Sequence, residues 1–248
     1  MEESVAGMNK FRAVVLALMI PVMIGGLIYA FWPAINGAVL SAEYTAAAQN
    51  FMEEQNESTE DDEGTDGDLF PELRTAMEEY DRLLSEEGQS GLAGEGGYED
   101  EIFDLEAYGI EEGIVGVISI PKLDVELPLY LGATEEHMAA GAAQLSYTSC
   151  PIGGENTNCV IAGHRGWGGA AYFRYLDELE IGDEVIITNL WETLTYRVCE
   201  VKVIYPNDVD SILIQDGRDL VTLLTCHPYA SGGKYRLLVY CERDMTTQ

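Results

Sequence analysis

An uninterrupted apolar run near the N-terminus most constrains how this chain can be arranged. Residues 13–31 read AVVLALMIPVMIGGLIYAF and contain no ionisable acid or base, and the first one after the run is Glu43. A helix of about 20 apolar residues crosses the roughly 30 Å hydrocarbon layer of a membrane. We therefore predict a cytoplasmic tail over residues 1–12 and a transmembrane helix over residues 13–32.

The residues that flank the apolar run predict its orientation. Lys10 and Arg12 lie just before it, and positive charges beside a span stay in the cytoplasm. We therefore expect a single-pass protein of the cell membrane, with everything after Trp32 extracellular. The alternative is a signal peptide cleaved near residues 46–48, but the run exceeds the usual apolar region of about 7–15 residues and that site lies far downstream.

The negative charge of the chain is concentrated in its middle. The net charge is -31, from 44 Asp and Glu against 13 Lys and Arg, and residues 43–112 hold most of this excess with Arg74 and Arg82 as their only basic side chains. Nucleic-acid binding depends on clustered Lys and Arg, so it is not expected here. We interpret residues 33–112 as an acidic stalk or linker.

Three stretches of this stalk differ in character. Residues 56–68 are strongly acidic and poor in apolar side chains, which predicts a solvated linker. Residues 71–85 have apolar side chains at three- and four-residue spacing, which predicts a helix. Residues 88–97 contain five glycines, which predict a mobile loop.

Strand-like runs alternate with turns over residues 113–243, and residues 244–248 form a short tail. Short helices are expected at 135–143 and 171–179. Many short strands with few long helices predict a mostly β, mostly antiparallel barrel or sandwich. Seven runs are rich in Val, Ile, Leu, Thr and Tyr: 114–120, 124–130, 158–162, 183–188, 193–205, 219–225 and 235–241.

The cysteines and histidines do not have the spacing of a metal site. No C-x-x-C pair occurs and the three histidines are scattered, so no metal and no cofactor are expected. The odd number of cysteines leaves at least one without an intramolecular partner, and the pairing of the others stays open. The five cysteines are Cys150, Cys159, Cys199, Cys226 and Cys241.

Cys226 differs from the other cysteines because it ends a strand-like run and is followed by a loop. A thiol nucleophile needs a nearby base and a donor for the oxyanion of an acyl-transfer intermediate. His164 and Arg236 also lie at the ends of predicted strands and are the candidate partners. A cysteine at a strand end is more often structural, so the hypothesis depends on the three residues together.

The residues around these positions resemble those of the sortases, membrane-anchored cysteine transpeptidases of Gram-positive cell surfaces. The resemblance covers about residues 113–243. The stretch T-L-L-T-C that ends at Cys226 matches the T-L-x-T-C signature of the family, and G-H-R around His164 matches its histidine segment. Supporting stretches are G-V-I-S-I-P-K from Gly116 and L-P-L-Y-L-G from Leu127.

The resemblance implies an eight-stranded β-barrel and three catalytic residues. Cys226 would attack the Thr-Gly carbonyl of an LPXTG-like sorting signal and form a thioacyl intermediate, and His164 would act as general acid and base. Arg236 would hold the substrate carbonyl or the oxyanion. His227 competes as the base, although neighbouring strand residues point to opposite faces. The implied partners are proteins with sorting signals and an amine acceptor, either a pilin lysine or a peptidoglycan precursor.

Within the family, residues 132–141 and 151–158 look most like class C, the pilin-type sortases. That class usually carries a lid with an Asp-Pro-aromatic motif before the first barrel strand, and this chain has L-A-G-E-G-G-Y at residues 92–98 instead. Attachment of proteins to peptidoglycan by a housekeeping or class B-like enzyme is the alternative within the family. Outside the family, the alternative is a non-catalytic surface-displayed β-barrel, a binding or adhesion module on an acidic stalk.

Overall fold

A long N-terminal helix, a second helix and a β-barrel make up the protein. The computed structural model describes residues 2–60, 69–94 and 98–245. The helices are α1 (Glu2–Glu60), α2 (Pro71–Glu87) and α3 (Glu135–Ala140). The strands are β1 (Ile114–Ile120), β2 (Val125–Leu131), β3 (Ala142–Gln144), β4 (Thr157–Ala162), β5 (Glu184–Asn189), β6 (Thr193–Ile204), β7 (Asp219–His227) and β8 (Tyr235–Arg243).

The eight strands close into a barrel in the order β1-β2-β3-β4-β7-β8-β6-β5. All neighbouring pairs are antiparallel except β2 with β3 and β4 with β7, which are parallel. The predicted mostly antiparallel barrel is therefore confirmed. Each of the seven predicted strands is present, and the sequence reading missed only β3.

Strand β3 replaces the end of a predicted helix. The helix expected over residues 135–143 stops at Ala140, because residues 142–144 pair with β2 on one side and β4 on the other. The sequence Ala-Ala-Gln has no strand preference of its own, so neighbouring strands determine its conformation. The helix expected over residues 171–179 is reduced to a single 3-10 turn at Leu176–Glu178.

Helix α1 continues far beyond the predicted transmembrane segment of residues 13–32. Its first half exposes large apolar side chains, and its apolar part is long enough to cross a membrane by length and composition. Its second half packs against β1 and β2, and Ala48 and Phe51 are buried there. Residues of the expected stalk are thus packed on the barrel, and they cover the outer face of β1.

Helix α2 lies where the apolar spacing predicts a helix and packs on the barrel by one face. Leu73, Met77 and Leu84 are buried on that face, and its charged side chains are exposed except for the buried Asp81 and the half-buried Arg74. Burial of a side chain such as Leu73 stabilises the fold by about 2 kcal/mol. Pro71 occupies the first turn, where its missing N–H leaves no hydrogen bond unmade.

The glycine-rich stretch that follows α2 is ordered up to residue 94, contrary to the mobile loop predicted for residues 88–97. A 3-10 turn at Ser90–Ala93 buries Leu92. The side-chain amide of Gln89 donates to the carbonyl of Tyr147 and accepts from the N–H of Ile214. Of the linker predicted for residues 56–68, residues 56–60 continue α1, whereas residues 61–68, like 95–97, lie outside the described residues.

Candidate active site

The parallel pairing of β4 and β7 brings His164 and Cys226 to neighbouring positions. Ala162 of β4 is in register with Leu224 of β7, and the N–H of Gly163 donates to the carbonyl of Leu224 at 3.1 Å. The hydroxyl of Thr225 donates to the carbonyl of Gly163 at 2.8 Å. His164 follows Gly163 and Cys226 follows Thr225, so the two residues lie side by side at one end of the barrel.

Cys226 is also directly paired with Arg236 across the antiparallel strands β7 and β8. The guanidinium of Arg236 donates from Nη1 to the carbonyls of Gly233, at 2.8 Å, and Tyr235, at 3.2 Å. A Cβ built on Gly233 would come within 3.3 Å of the Cys226 sulfur. The absence of a side chain at residue 233 therefore leaves space beside the thiol and the guanidinium.

The other four cysteines have environments that suppress thiolate formation. Burial raises the pKa of the thiols of Cys150, Cys159 and Cys241 well above the ordinary value, and partial burial also raises the pKa of Cys199. All five cysteines are free thiols, which answers the open question of pairing. Cys226 is partly exposed at the end of the barrel. It is therefore the thiol placed to meet a substrate.

Two aromatic rings enclose the imidazole of His164. Trp167 stacks on it with ring centroids 4.7 Å apart, and Tyr172 meets it edge-on at 6.2 Å. Burial lowers the pKa of His164 below its ordinary value, because the charged imidazolium loses solvation there. A neutral imidazole is thereby favoured, which is the form that accepts a proton from a thiol. The structure thus places the ring of Trp167 against the candidate base.

Arg165 ties the segment of His164 to the end of β7, a role that the sequence reading did not assign. Its Nη1 lies 2.6 Å from Nδ1 of His227 and 3.3 Å from the carbonyl of Cys226. Its Nη2 pairs with Asp177 at 2.6 Å, and the side chain is almost fully buried. The only available signal was its place directly after His164 in the G-H-R stretch.

His227 is already engaged by this arginine. A guanidinium can only donate, so Nδ1 of His227 is the acceptor in this contact. Of the two histidines considered as base, the arrangement thus favours His164. The catalytic roles of Cys226, His164 and Arg236 stay predictions, supported by this placement.

A cavity of about 120 Å³ adjoins Arg236 and contains a residue that the sequence reading did not select. Tyr98 lines this cavity together with Leu224 of β7. The carbonyl of Tyr98 accepts from the N–H groups of Ala133, at 2.8 Å, and Ser146, at 3.2 Å. The segment that precedes β1 therefore packs on the barrel and places an aromatic ring beside the site, without an Asp-Pro-aromatic motif.

The composition of the site indicates nucleophilic acyl transfer. Thiol, imidazole and guanidinium are the groups needed for attack, proton transfer and stabilisation of an oxyanion. Within the ranges that the structure describes, no group of three or more His, Cys, Asp or Glu side chains is arranged to hold a metal ion.

Comparisons with known proteins agree with this geometry. The sortase domain family model matches residues 118–244. Sortase D of Bacillus subtilis is 28% identical over 130 residues, which are 52% of this chain and 63% of that protein. The chain thus spans somewhat less than two thirds of that curated relative.

Solved structures of class C sortases are similar over most of the chain. Sortase C of Clostridium perfringens, solved with the C-terminal cell wall sorting motif, is 31% identical with a TM-score of 0.65, and covers 81% of this chain and 98% of its own. Sortase C1 of group B Streptococcus pilus island 1 is 28% identical with a TM-score of 0.69, at the same coverage. The similarity extends beyond the barrel into the N-terminal region.

Proposed function

The chain belongs to the sortase family, and we propose that it is a membrane-anchored extracellular cysteine transpeptidase. It cleaves an LPXTG-like sorting signal and transfers the protein to an amine. One observation carries this proposal: the pairings of β7 with β4 and β8 place His164 and Arg236 on either side of Cys226. His164 and Cys226 are more than 60 positions apart in the sequence, yet they and Arg236 come together at one end of the barrel.

In the first half-reaction, the sulfur of Cys226 attacks the carbonyl carbon of the Thr-Gly bond. The thiol proton passes to His164, whose neutral form is favoured by burial. The carbonyl oxygen becomes an oxyanion, which the guanidinium of Arg236 stabilises. When the tetrahedral intermediate collapses, the C–N bond breaks, His164 returns the proton to the leaving amine, and a thioester on Cys226 remains.

In the second half-reaction, an amine attacks the thioester carbonyl. His164 accepts the proton that the attacking amine loses, and the new amide bond forms as the C–S bond breaks. The sulfur takes its electron pair back and regains a proton from the imidazolium, which restores the starting state. Arg236 serves again as oxyanion donor, because the guanidinium of an arginine stays charged in proteins.

The amine acceptor follows from the subclass. We propose a pilin lysine, because the similar solved structures include pilus-related class C enzymes. A peptidoglycan precursor amine is the alternative acceptor. The two are distinguished by which amine, offered in equal concentration, is found joined to the threonine of the cleaved peptide.

The arrangement along the chain supports a single membrane anchor. We propose a cytoplasmic tail over residues 1–12, a transmembrane helix over 13–32, an acidic connecting region over 33–112 and a catalytic barrel over 113–243, followed by the tail 244–248. The exposed apolar side chains of the first half of α1 support the anchor. The positive residues Lys10 and Arg12 support a cytoplasmic N-terminus.

Mass spectrometry of the full-length protein in detergent, after incubation with sorting peptides, tests the function. A thioacyl adduct on Cys226 and cleavage between Thr and Gly are expected. Cys226→Ala should abolish both, whereas Cys199→Ala, which removes another half-buried thiol, should leave them unchanged. Full cleavage by Cys226→Ala, or no adduct with any peptide, would favour the non-catalytic surface-displayed barrel.

A further inference from the structure

The segment of α1 that follows the predicted membrane span rests directly on the loop that carries His164. We call residues 163–172 the histidine loop. The side-chain amide of Asn36 donates to the carbonyl of Gly168 at 2.6 Å. This contact lies one helical turn after Trp32, the last residue of the predicted span.

The helix and the loop touch through glycines. A Cβ built on Gly37 would overlap the backbone of Gly169, and one built on Gly169 would overlap the carbonyl of Pro33. A Cβ on Gly168 would come within 2.9 Å of the Asn36 amide. Only glycine permits so close an approach of two backbones, and Gly168 and Gly169 also have positive φ angles of 57° and 99°.

The contacted glycines form the tip of a tight turn that holds Trp167. The N–H of Trp167 donates to the carbonyl of Ala170 at 3.1 Å, and the N–H of Ala170 donates to the carbonyl of Trp167 at 2.8 Å. Trp167 in turn stacks on His164. The helix therefore supports one of the two rings that enclose the imidazole.

A second contact reaches the other ring. Tyr44 of α1 packs on Tyr172 with ring centroids 5.3 Å apart, and Tyr172 meets His164 edge-on. The hydroxyl of Tyr172 donates to the carbonyl of Ala139 in α3 at 2.6 Å. Both rings that fix the orientation of His164 are thus backed by the same helix.

From these contacts we infer that Gly37 and Asn36 are positioning residues: the membrane-proximal turns of α1 hold the histidine loop in its active geometry. The anchor is then part of the catalytic apparatus, acting through Trp167 and Tyr172. This inference rests on the proposed function for its catalytic readout. The contact itself can be measured without catalysis.

Substitution of Gly37 by a larger residue tests the inference in the full-length protein in lipid nanodiscs. Gly37→Leu raises helix propensity but puts a side chain where the loop backbone lies. Gly26→Leu is the matched control, because it makes the same change in the same helix and a Cβ there meets nothing within 4 Å. Gly37→Ala is a smaller version of the same perturbation.

The first readout is amide hydrogen exchange at Trp167 and Ala170. Gly37→Leu should speed their exchange about tenfold or more, because the turn loses its support, and Gly26→Leu should not. Unchanged exchange in Gly37→Leu would overturn the inference, whatever the activity.

The second readout is peptide cleavage. Gly37→Leu should lower kcat about ten- to a hundredfold with little change in the KM of the sorting peptide, since a displacement of about 1 Å of a catalytic group has effects of this size. Gly37→Ala should fall between wild type and Gly37→Leu. If Gly37→Leu shows faster amide hydrogen exchange but keeps the wild-type kcat, the positioning role is overturned. If the wild-type protein cleaves no peptide, the proposed function fails, and the exchange measurement still decides whether the helix holds the loop.

Discussion

Arg165 lies with Nη1 2.6 Å from Nδ1 of His227, and this contact joins the segment of the candidate base to the strand of the candidate nucleophile. The same guanidinium reaches the carbonyl of Cys226 and the carboxylate of Asp177. One buried cation therefore ties three separate chain segments together. We therefore expect Arg165 to help hold His164 beside Cys226.

Arg165→Lys should lower kcat/KM about tenfold to a hundredfold, because an ammonium cannot reproduce the forked set of donors. The carbonyl of Cys226 and Nδ1 of His227 would then compete for fewer N–H donors. Steady-state cleavage of a sorting peptide measures the effect. Arg197→Lys is the control, since Arg197 is itself exposed and pairs with Glu184 and Asp244 away from the site. Equal losses in both variants would contradict the expectation.

Trp167→Ala should shift the acid limb of the pH profile. In the wild type, burial lowers the pKa of His164, so the fall of kcat/KM on acidification should have its midpoint below 6.5. Without the stacked indole, water reaches the imidazole and stabilises its charged form, so the midpoint should move up toward 6.5. Tyr175→Ala, in an exposed position nearby, should leave it in place. A midpoint that stays or falls in Trp167→Ala would show that the ring does not desolvate His164.

Tyr98→Ala should strengthen binding of the sorting peptide. The side chain of Tyr98 lines the cavity beside Arg236, so a peptide that uses this cavity must first displace it. We expect KM to fall about threefold or more with kcat little changed, since the competent state becomes more populated. Tyr98→Phe keeps the ring and should behave as wild type. A raised KM in Tyr98→Ala would mean that Tyr98 contacts the substrate instead of excluding it.

Asp81 should make the stability of the fold depend on pH. One carboxylate oxygen accepts from the N–H of Cys150 at 2.8 Å, and among the described residues the other, also buried, has no hydrogen-bond partner. Burial raises the pKa of Asp81 from 3.8 to about 8, with a smaller contribution from the nearby Asp219 carboxylate. The folded state therefore prefers the neutral acid.

Asp81→Asn should remove this dependence, because an amide mimics the neutral acid. The contribution of the protonated carboxyl to the free energy of unfolding is complete below pH 3.8. It is lost progressively as the pH rises to about 8. The variant should match the wild type near pH 4 and exceed it above pH 8 by about 1 to 3 kcal/mol, or several degrees in Tm. Thermal unfolding across this range measures the difference. A constant difference at every pH would show that Asp81 does not titrate.

The strands carry their own signal, which predicts a barrel or a sandwich, and the resemblance to the sortases points to the eight-stranded barrel. Runs such as that of β1 combine β-branched residues with a length suited to a buried strand. Strand β3 and the ordered stretch around Leu92 were missed, since their conformation comes from partners distant in the chain. The charge of the acidic middle region predicts a stalk and indicates the helix over residues 71–85, but it conceals that α1 and α2 bury one face on the barrel.

The candidate site was predictable where a motif marks it and not elsewhere. Cys226, His164 and Arg236 stand in recognisable stretches at strand ends. The contacts of Arg165 and Tyr98 join residues far apart in sequence. Trp167 is only three residues from His164, but no local pattern encodes that its ring stacks on the imidazole. Such supporting residues become visible only once the strands are assembled.

Helix α1 is continuous from the predicted membrane span to its contact with the histidine loop, so the proposed anchor would set the orientation of the barrel at the membrane. With residues 13–32 in the bilayer, the barrel cannot swing freely, because a helix advances about 1.5 Å and turns about 100° with each residue. Inserting one residue between Trp32 and Asn36 would rotate the cleft to another side of the helix axis. With the proposed anchor in place, the direction in which Cys226 faces would thus be set by the phase of a helix.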